Sequence, residues 1–251
     1  MQSLSTWFNT FLGIESGMKT ITVIGSGGKT SLIWHLASCL GSSTGESGEK
    51  TDLKKRKILV TTTTKMFMPD NNFIRSLHGV TFEGTFNKTS GKIESLPPGR
   101  LEDLIPDYDL VLIEGDGSRG LPLKAWEDKE PVVPSFTDLT IGMLPLWPMG
   151  KPVSEEIVHR LPLFCALTGA RVGEPLQMEH ILALIPGLFA KARGKKILFF
   201  NQIEDNASLE LARQLTQSLP PTGLRMPPDF RAGLCKIIAG SVFSNYLEVL
   251  L

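Results

Sequence analysis

Residues 20–35 read TITVIGSGGKTSLIWH, and this stretch decides which fold the chain is expected to adopt. Its first five residues are apolar or β-branched, which is typical of a buried strand. A glycine-rich turn follows, and apolar residues then recur at helical spacing through residues 32–40. A strand, a glycine turn, a lysine, a hydroxyl residue and a helix, in this order, are the parts of a phosphate-binding loop.

The turn itself would supply the groups that hold a nucleotide. Glycines let backbone N–H groups approach a polyphosphate, and the N-terminus of the following helix adds partial positive charge. Lys29 would reach the terminal phosphates, and Thr30 would coordinate Mg²⁺. The nucleotide-binding residues predicted in this loop are Gly25, Ser26, Gly27, Gly28, Lys29, Thr30 and Ser31.

The loop departs from the common pattern G-x-x-x-x-G-K-[ST], which requires glycine at the position of Val23. It reads instead as the shorter form G-x-x-G-K-T, here GSGGKT, which Mur-type ligases use. The alternative interpretation is a tight turn between strand and helix, in which the glycines serve geometry alone. That alternative leaves the lysine–threonine pair at the helix start unexplained.

Composition is that of an ordinary globular protein. The 251 residues are 41% hydrophobic and 21% charged, which suits one large α/β domain or two small ones, and we predict one domain over residues 1–251. Basic and acidic residues number 26 each, so no net field favours nucleic acid or a membrane surface. Three distant cysteines favour a reducing cytoplasm over a disulfide frame. We therefore expect a cytoplasmic protein with neither nucleic acid nor membrane as partner.

A second apolar strand, over residues 109–113, ends in the sequence EGDGSRG. This is the Walker B arrangement, in which a carboxylate holds Mg²⁺ or orients the attacking water. We therefore predict Glu114 and Asp116 as metal ligands together with Thr30, and as catalytic residues together with Lys29. The alternative is an Asp-Gly turn whose acidic side chains are solvated.

Residues 57–64, KILVTTTT, predict another strand, with Thr62, Thr63 and Thr64 at its carboxyl end. Ligands of open α/β sheets bind at that edge, so these hydroxyls would contribute to nucleotide binding. The β-propensity of threonine explains the same run without any ligand.

Three cations follow these strands, and each is a candidate for binding an anionic substrate. Lys65 comes directly after the threonines, and Arg119 and Lys124 follow the EGDG turn. Arg119 would also act in catalysis, by neutralising phosphate. Arg119 and Lys124 could equally be surface charges.

A strand over residues 195–200, KKILFF, is followed by NQIED, a degenerate form of the N-K-x-D element with which GTPases recognise guanine. Asn201 and Asp205 are therefore predicted to bind nucleotide, although Gln202 stands in place of the lysine. The acidic start of a helix over residues 207–219 explains the same residues. The cofactors expected are Mg²⁺ and either ATP or GTP.

The remaining patterns complete an α/β fold: a P-loop NTPase-like, mostly parallel sheet flanked by helices. Helices over residues 154–167 and 176–184 predict a small helical insertion or cap at residues 125–190, with a possible strand at 139–146. A last strand at 236–243 would be followed by a closing helix. Residues 41–56 predict an exposed, mobile loop.

Four stretches occur together in this order: ITVIGSGGKTS, VTTTTKM, LVLIEGDGSRGLPLKAW with EPVVPSFTD, and the strand followed by NQIED. In combination they resemble the YqeC family of accessory proteins for selenium-dependent molybdenum hydroxylases. The resemblance covers about residues 18–243, and EGDGSRGLPLKA is its most specific element. It implies a role in the biosynthesis or insertion of a selenium cofactor, with a molybdenum hydroxylase or a selenium-handling protein as partner. It also implies that residues 25–30, 61–64 and 114–124 line the site.

Three functions remain open at this point. The first is a Mg²⁺-dependent NTPase or phosphotransferase that activates a selenium or cofactor intermediate. The second is a nucleotide-gated factor that delivers a cofactor to a hydroxylase without chemistry of its own. The third is an ATP-dependent ligase of Mur type, against which the lack of a second substrate domain argues.

Overall fold

The computed structural model describes residues 2–14, 17–41, 56–219 and 234–251. Most of the loop predicted at residues 41–56 therefore lies outside the described residues. The strands are β1 (Gln2–Ser3), β2 (Thr20–Gly25), β3 (Ile58–Thr62), β4 (Lys65–Phe67), β5 (Val80–Phe82), β6 (Thr85–Asn87), β7 (Lys92–Glu94), β8 (Leu110–Glu114), β9 (Leu123–Lys124), β10 (Leu139–Pro145), β11 (Val158–His159), β12 (Lys195–Asn201), β13 (Leu234–Ser241) and β14 (Tyr246–Val249). The helices are α1 (Leu4–Ile14), α2 (Lys29–Gly41), α3 (Asn71–Ser76), α4 (Arg100–Leu104), α5 (Leu161–Thr168), α6 (Met178–Leu188) and α7 (Asn206–Ser218).

A nine-stranded sheet forms the centre of the molecule, in the order β1-β14-β13-β12-β10-β2-β8-β3-β5. The pairs from β13 to β5 are all parallel, whereas β14 and β1 add an antiparallel edge. Strands β2, β3, β8 and β10 are buried along their whole length. This is expected of parallel strands that are covered on both faces. The predicted α/β class with a mostly parallel sheet is confirmed.

Helices cover the two faces of the sheet separately. On one face, α1 and α2 pack with Val23 of β2, through residues that include Phe8 and Leu36. On the other face, α5, α6 and α7 pack with Ile24, the next residue of β2. Because successive strand residues point to opposite faces, β2 is anchored in both cores, and its last residue is fixed firmly in position.

The block predicted as a helical insertion, residues 125–190, is only partly helical. Strand β10 lies within it and occupies the centre of the sheet, between β2 and β12. The predicted helix over residues 154–167 begins later, at Leu161. Val158 and His159 instead pair with Leu123 and Lys124 in a short parallel ladder, so backbone pairing replaces the first helical turns.

Two other expectations about helices were wrong at their ends. The helix predicted over residues 176–184 is α6, which runs on past that range, through Pro186, to Leu188. The closing helix expected after β13 is instead strand β14, which returns antiparallel to β13 through a turn that contains Asn245 at a φ of 49°. Asparagine tolerates this left-handed conformation better than most residues, which favours a hairpin there.

At β2, the order in which successive strands are added to the sheet reverses direction. The chain moves from β2 through α2 to β3 on one side, whereas β10 and β12 lie on the other. In open α/β sheets, ligands bind at the carboxyl ends of strands beside such a switch point. The phosphate-loop sequence therefore lies where the topology favours a ligand.

We predict that Gly142→Ala destabilises the protein by about 1–3 kcal/mol, because the new methyl group would overpack the core. A Cβ at this position of β10 would lie 2.4 Å from the ring of Phe189 and 2.8 Å from Leu188. Urea unfolding followed by circular dichroism measures the change. Gly117→Ala is the matched control, since no atom lies within 4 Å of its added Cβ. Equal stability of the two variants would contradict close packing against β10.

Candidate functional site

A cavity of about 280 Å³ opens at the carboxyl ends of β2 and β8. The phosphate loop from Gly27 to Ser31 forms one wall, and the loop at residues 117–122 forms another. Its other lining residues are Lys65, Phe67, Lys92, Glu114, Trp147 and Gln202. The predicted loop, the predicted carboxylate and two of the predicted cations are therefore brought together.

The glycines of the loop are required by close packing as well as by conformation. Gly25, Gly27 and Gly28 have φ values of 96°, 73° and 112°. A Cβ on Gly25 would lie 2.2 Å from the carbonyl oxygen of Met143, and a Cβ on Gly28 would lie 2.6 Å from Asn201. The loop is thus held against the ends of β10 and β12, which leaves its other side facing the cavity.

Lys29 begins α2 and points back into its own loop. It is 5% exposed, its Nζ donates to the carbonyl oxygen of Gly25 at 2.6 Å, and it lies 3.4 Å from Asp116 Oδ1. Asp116 balances the charge of this buried ammonium, while the N-terminus of α2 adds partial positive charge to the loop. Backbone N–H groups at a helix N-terminus are suited to binding a phosphate.

Thr30 and Glu114 meet across the same cavity, since Thr30 Oγ1 donates to Glu114 Oε2 at 2.6 Å. Burial raises the pKa of Glu114, although the positive charge of Lys29 and the hydrogen bond from Thr30 oppose the shift. A hydroxyl and a carboxylate are both oxygen ligands of the kind that Mg²⁺ prefers. A bound cation at this point would also favour the charged form of Glu114.

Asp116 has a different role from the metal ligand predicted for it. It is fully buried, and both of its carboxylate oxygens accept from the backbone N–H of Gly25, at 3.0 and 3.1 Å. Trp126 Nε1 donates to Oδ2 at 2.8 Å, and Lys124 lies 3.2 Å from the same oxygen. With Lys29 on Oδ1, both oxygens are surrounded by donors, so Asp116 fixes the phosphate loop and is not available to coordinate a metal ion.

Lys124 was predicted to bind substrate, but the structure buries it completely. Its Nζ donates to the carbonyl oxygen of Gly117 at 2.7 Å and to Glu130 Oε2 at 2.9 Å. Glu130 also pairs with Arg160 at 2.6 Å, which extends the network towards α5. Lys124 is therefore a structural cation that links the EGDG turn to the rest of the protein.

The threonines that end β3 position Glu114 instead of lining the cavity. Thr62 Oγ1 donates to the carbonyl oxygen of Glu114 at 2.9 Å, and Thr63 Oγ1 donates to that of Val132 at 2.8 Å. The hydroxyl of Thr64 is buried and has no hydrogen-bond partner. For Thr62 and Thr63, hydrogen bonds to the backbone of Glu114 and Val132 take the place of the predicted role in nucleotide binding.

The residues that resembled N-K-x-D are also committed to the protein. Asn201 Nδ2 donates to the carbonyl oxygen of Gly27 at 2.7 Å, and its Oδ1 accepts from the N–H of Val242 at 3.1 Å. Asp205 caps α7, where it accepts from the N–H of Ser208 at 2.7 Å. Asn201 therefore supports the phosphate loop, and Asp205 has the helix-capping role that was the alternative interpretation.

A second cavity, of about 500 Å³, lies on the other side of the loop and shares Gly28, Ser31 and Gln202 with the first. Trp34, Phe73 and Phe243 contribute aromatic rings to it. Gln202 has a φ of 61°, and its side-chain oxygen is buried without a hydrogen-bond partner. An orphaned acceptor beside aromatic rings suits a flat ligand that carries an N–H group.

A family profile described as "YqeC protein" matches residues 21–162 of the chain. The chain belongs to the YqeC family. A relative in Escherichia coli strain K12, named "Uncharacterized protein YqeC", is 33% identical over 191 residues, which cover 69% of this chain and 70% of the relative. The resemblance expected from the four stretches is confirmed, and the matched region includes the phosphate loop, Glu114 and Asp116.

Some residues of the YqeC-family site were not predicted from sequence. Lys92 and Phe67 come from a three-stranded sheet, β4-β7-β6, whose strands have three residues each. Trp126 could not be recognised because its contact with Asp116 depends on the tertiary fold. Gln202 was noted only as a departure from a motif, but it is the residue with the unpartnered oxygen.

In the parts of the chain that the structure describes, no cluster of three or more His, Cys, Asp or Glu side chains could hold a metal ion. Glu114 with Thr30 does fit Mg²⁺, which proteins commonly bind through one or two carboxylates and the phosphates of a substrate. The helices within the same described ranges are too short or too polar to cross a membrane.

Neutralising the two acids of the EGDG turn should destabilise the protein to different extents. Asp116→Asn leaves Lys29 and Lys124 without their shared buried counter-charge, so we expect a loss of about 3 kcal/mol in unfolding free energy. Glu114→Gln keeps an acceptor for Thr30 and removes a buried charge, so its stability should stay within about 1 kcal/mol of wild type. Urea unfolding of both variants measures this. Equal losses would show that Asp116 is not the organising residue.

The ion pairs of Glu130 predict a specific dependence of stability on acid. Burial acts to raise the pKa of Glu130, but hydrogen bonds from Arg160 and Lys124 outweigh it and lower the pKa to about 2. A lowered pKa in the folded state stabilises the protein above the ordinary value of 4.5, and this contribution is lost as the pH falls towards 2. Unfolding free energy should therefore fall less steeply in Glu130→Gln than in wild type across that range. If unfolding free energy depended on pH in the same way in both proteins, the lowered pKa of Glu130 would be contradicted.

Proposed function

We propose that this YqeC-family protein is a Mg²⁺-dependent nucleotide-binding protein with a P-loop NTPase-like fold, which hydrolyses ATP or GTP. The observation that carries the proposal is the convergence of Lys29, Thr30 and Glu114 at the ends of adjacent strands. Thr30 and Glu114 are in contact at 2.6 Å, and Lys29 is buried in the loop beside them. A plain strand-to-helix turn has no need of this arrangement.

The two cavities supply places for the two ends of a nucleotide. The 280 Å³ cavity contains the cationic loop and Glu114, which suits the phosphates. The 500 Å³ cavity contains aromatic rings and the free acceptor of Gln202, which suits a nucleoside. They share Gly28 and Ser31, so a single ligand could occupy both. Since adenine, guanine and cytosine all offer an N–H to one acceptor, we expect weak discrimination between bases.

The residues around the phosphates would divide the chemistry between them. Lys29 would exchange its bond to Gly25 for the terminal phosphates, and Asp116 would keep the loop in place. Thr30 and Glu114 would hold Mg²⁺, which neutralises the charge that develops during phosphoryl transfer. Arg119, exposed at the cavity, would offset the remaining negative charge.

The cellular role that we propose is that of an accessory protein in the biosynthesis or insertion of a selenium or molybdenum cofactor. This part of the proposal rests on membership of the YqeC family and on the resemblance that its motifs carry. The partner would be a molybdenum hydroxylase or a selenium-handling protein.

A second candidate function, nucleotide-gated delivery of a cofactor, is favoured by one contact. Asp116 is shared between Lys29 of the phosphate loop and Lys124 of the buried network. A nucleotide that draws Lys29 away would leave Asp116 paired with Lys124 alone. Because Lys124 also pairs with Glu130, and Glu130 with Arg160, the loss of one ion pair would alter the others in this network. Phosphate release by the protein alone supports the NTPase, whereas release that requires a client protein supports the gate. The Mur-type ligase is supported only by the short loop form.

We predict that Lys29→Ala lowers affinity for Mg²⁺–nucleotide by about 100-fold or more, because it removes the central cation of the loop. Isothermal titration of ATP, GTP and CTP with Mg²⁺ measures this and the base preference together. Lys88→Ala is the control, since Lys88 is exposed and lies outside both cavities. Unchanged affinity in a folded Lys29→Ala protein would refute the phosphate loop, and a preference above about 100-fold for one base would refute weak discrimination.

A further inference from the structure

Two cations face the 280 Å³ cavity without a carboxylate partner in the described part of the chain. They are Lys92 of β7 and Arg119 of the loop after β8. The other lysines of the cavity are already paired, Lys29 with Asp116 and Lys65 with Glu94 at 2.8 Å. Lys92 and Arg119 are therefore the cations of this cavity whose charge is available to a ligand.

Lys92 is held in position by its neighbours in the small sheet. It lies directly opposite Phe67 in the pairing of β4 with β7, and its ammonium is 4.0 Å from the centre of the Phe67 ring. A cation over an aromatic face is attracted to it, so the ammonium is positioned before any ligand arrives. It lines the same cavity as Glu114.

Arg119 occupies a strained backbone position. Its φ is 53°, which is uncommon for a residue other than glycine, and it is exposed at the edge of the cavity. Gly117 and Gly120 flank it, and neither has an atom within 4 Å of an added Cβ. Strain that is retained next to a cavity points to a use for the side chain, and the open space around the glycines leaves room for a ligand.

These two cations lie outside the nucleoside cavity and outside the phosphate loop itself. Neither of them lines the 500 Å³ cavity that we assign to the nucleoside. The phosphate loop already offers Lys29, Thr30 and its own N–H groups to the phosphates. Lys92 and Arg119 come from two elements outside the loop and line the same cavity as Glu114.

We infer that the outer half of this cavity is a subsite for a second substrate, a small molecule that bears a phosphate-like oxyanion. Lys92 supplies a fixed positive charge, and Arg119 supplies a planar fork of N–H donors that matches an oxyanion. The position beside Glu114 places that substrate next to the terminal phosphate, so the inference rests on the proposed nucleotide site.

The test measures binding of a second anion to the full-length protein saturated with Mg²⁺ and a non-hydrolysable nucleotide, AMP-PNP. With the loop filled, inorganic phosphate is titrated by equilibrium dialysis at constant ionic strength. We expect saturable binding to wild type, weakened about tenfold or more in Lys92→Gln and in Arg119→Gln. Lys88→Gln, an exposed lysine of the same hairpin, should bind as wild type does. Lys92→Gln and Lys88→Gln should keep AMP-PNP affinity within about threefold of wild type. Arg119→Gln is compared by its phosphate binding alone, because Arg119 also has a proposed role towards the nucleotide phosphates.

Two results would overturn the inference. One is the absence of saturable phosphate binding to loaded wild type, or binding that neither substitution weakens. The other is a loss of AMP-PNP affinity in Lys92→Gln as large as in Lys29→Ala, which would make Lys92 a ligand of the nucleotide itself. If wild type fails to bind AMP-PNP, the proposed function fails. Phosphate binding that depends on Lys92 and Arg119, but is unchanged in Lys29→Ala, would then still support the subsite.

Discussion

The buried carboxylate of Asp116 is the interaction on which the rest of the site depends. It accepts from the backbone of Gly25 and from Trp126, and it lies between the ammonium groups of Lys29 and Lys124. Desolvating two lysines is costly, and a single shared carboxylate offsets part of that cost only while its geometry is kept. The phosphate loop, the EGDG turn and the Glu130–Arg160 network are therefore held in one arrangement.

Sequence patterns were sufficient for the elements whose signal is local. The strand, turn and helix of residues 20–41 follow from periodicity and glycine content, and so do strands β3, β8 and β12. Thr30 and Glu114 were predicted as joint metal ligands from the phosphate-loop and Walker B patterns, and the structure places their side chains in contact. Family membership followed from the order of four stretches that are individually weak.

The failures have a common physical cause, which is competition between a local preference and a distant partner. Residues 154–160 have helical signals, but Val158 and His159 pair with Leu123 and Lys124. Asp116 and Lys124 have the composition of a metal ligand and a substrate cation, but they neutralise each other in the interior. Sequence gives the charge of a side chain, whereas its availability to a ligand is a property of the tertiary fold.

The anchoring of the phosphate loop has a consequence for how the protein is made. The backbone N–H of Ser26 donates to the carbonyl oxygen of Met143. The side chain of Asn201 donates to the carbonyl oxygen of Gly27, from which it is separated by 174 residues in sequence. Asn201 is in turn held by Val242, whose N–H donates to it from 41 residues further along the chain. A chain that is made from its N-terminus therefore carries the loop sequence before the residues that support it. A ribosome-bound chain that ends before residue 201 has the sequence of the loop without the contacts that shape it, so synthesis itself delays the site until residues 201 and 242 have been added.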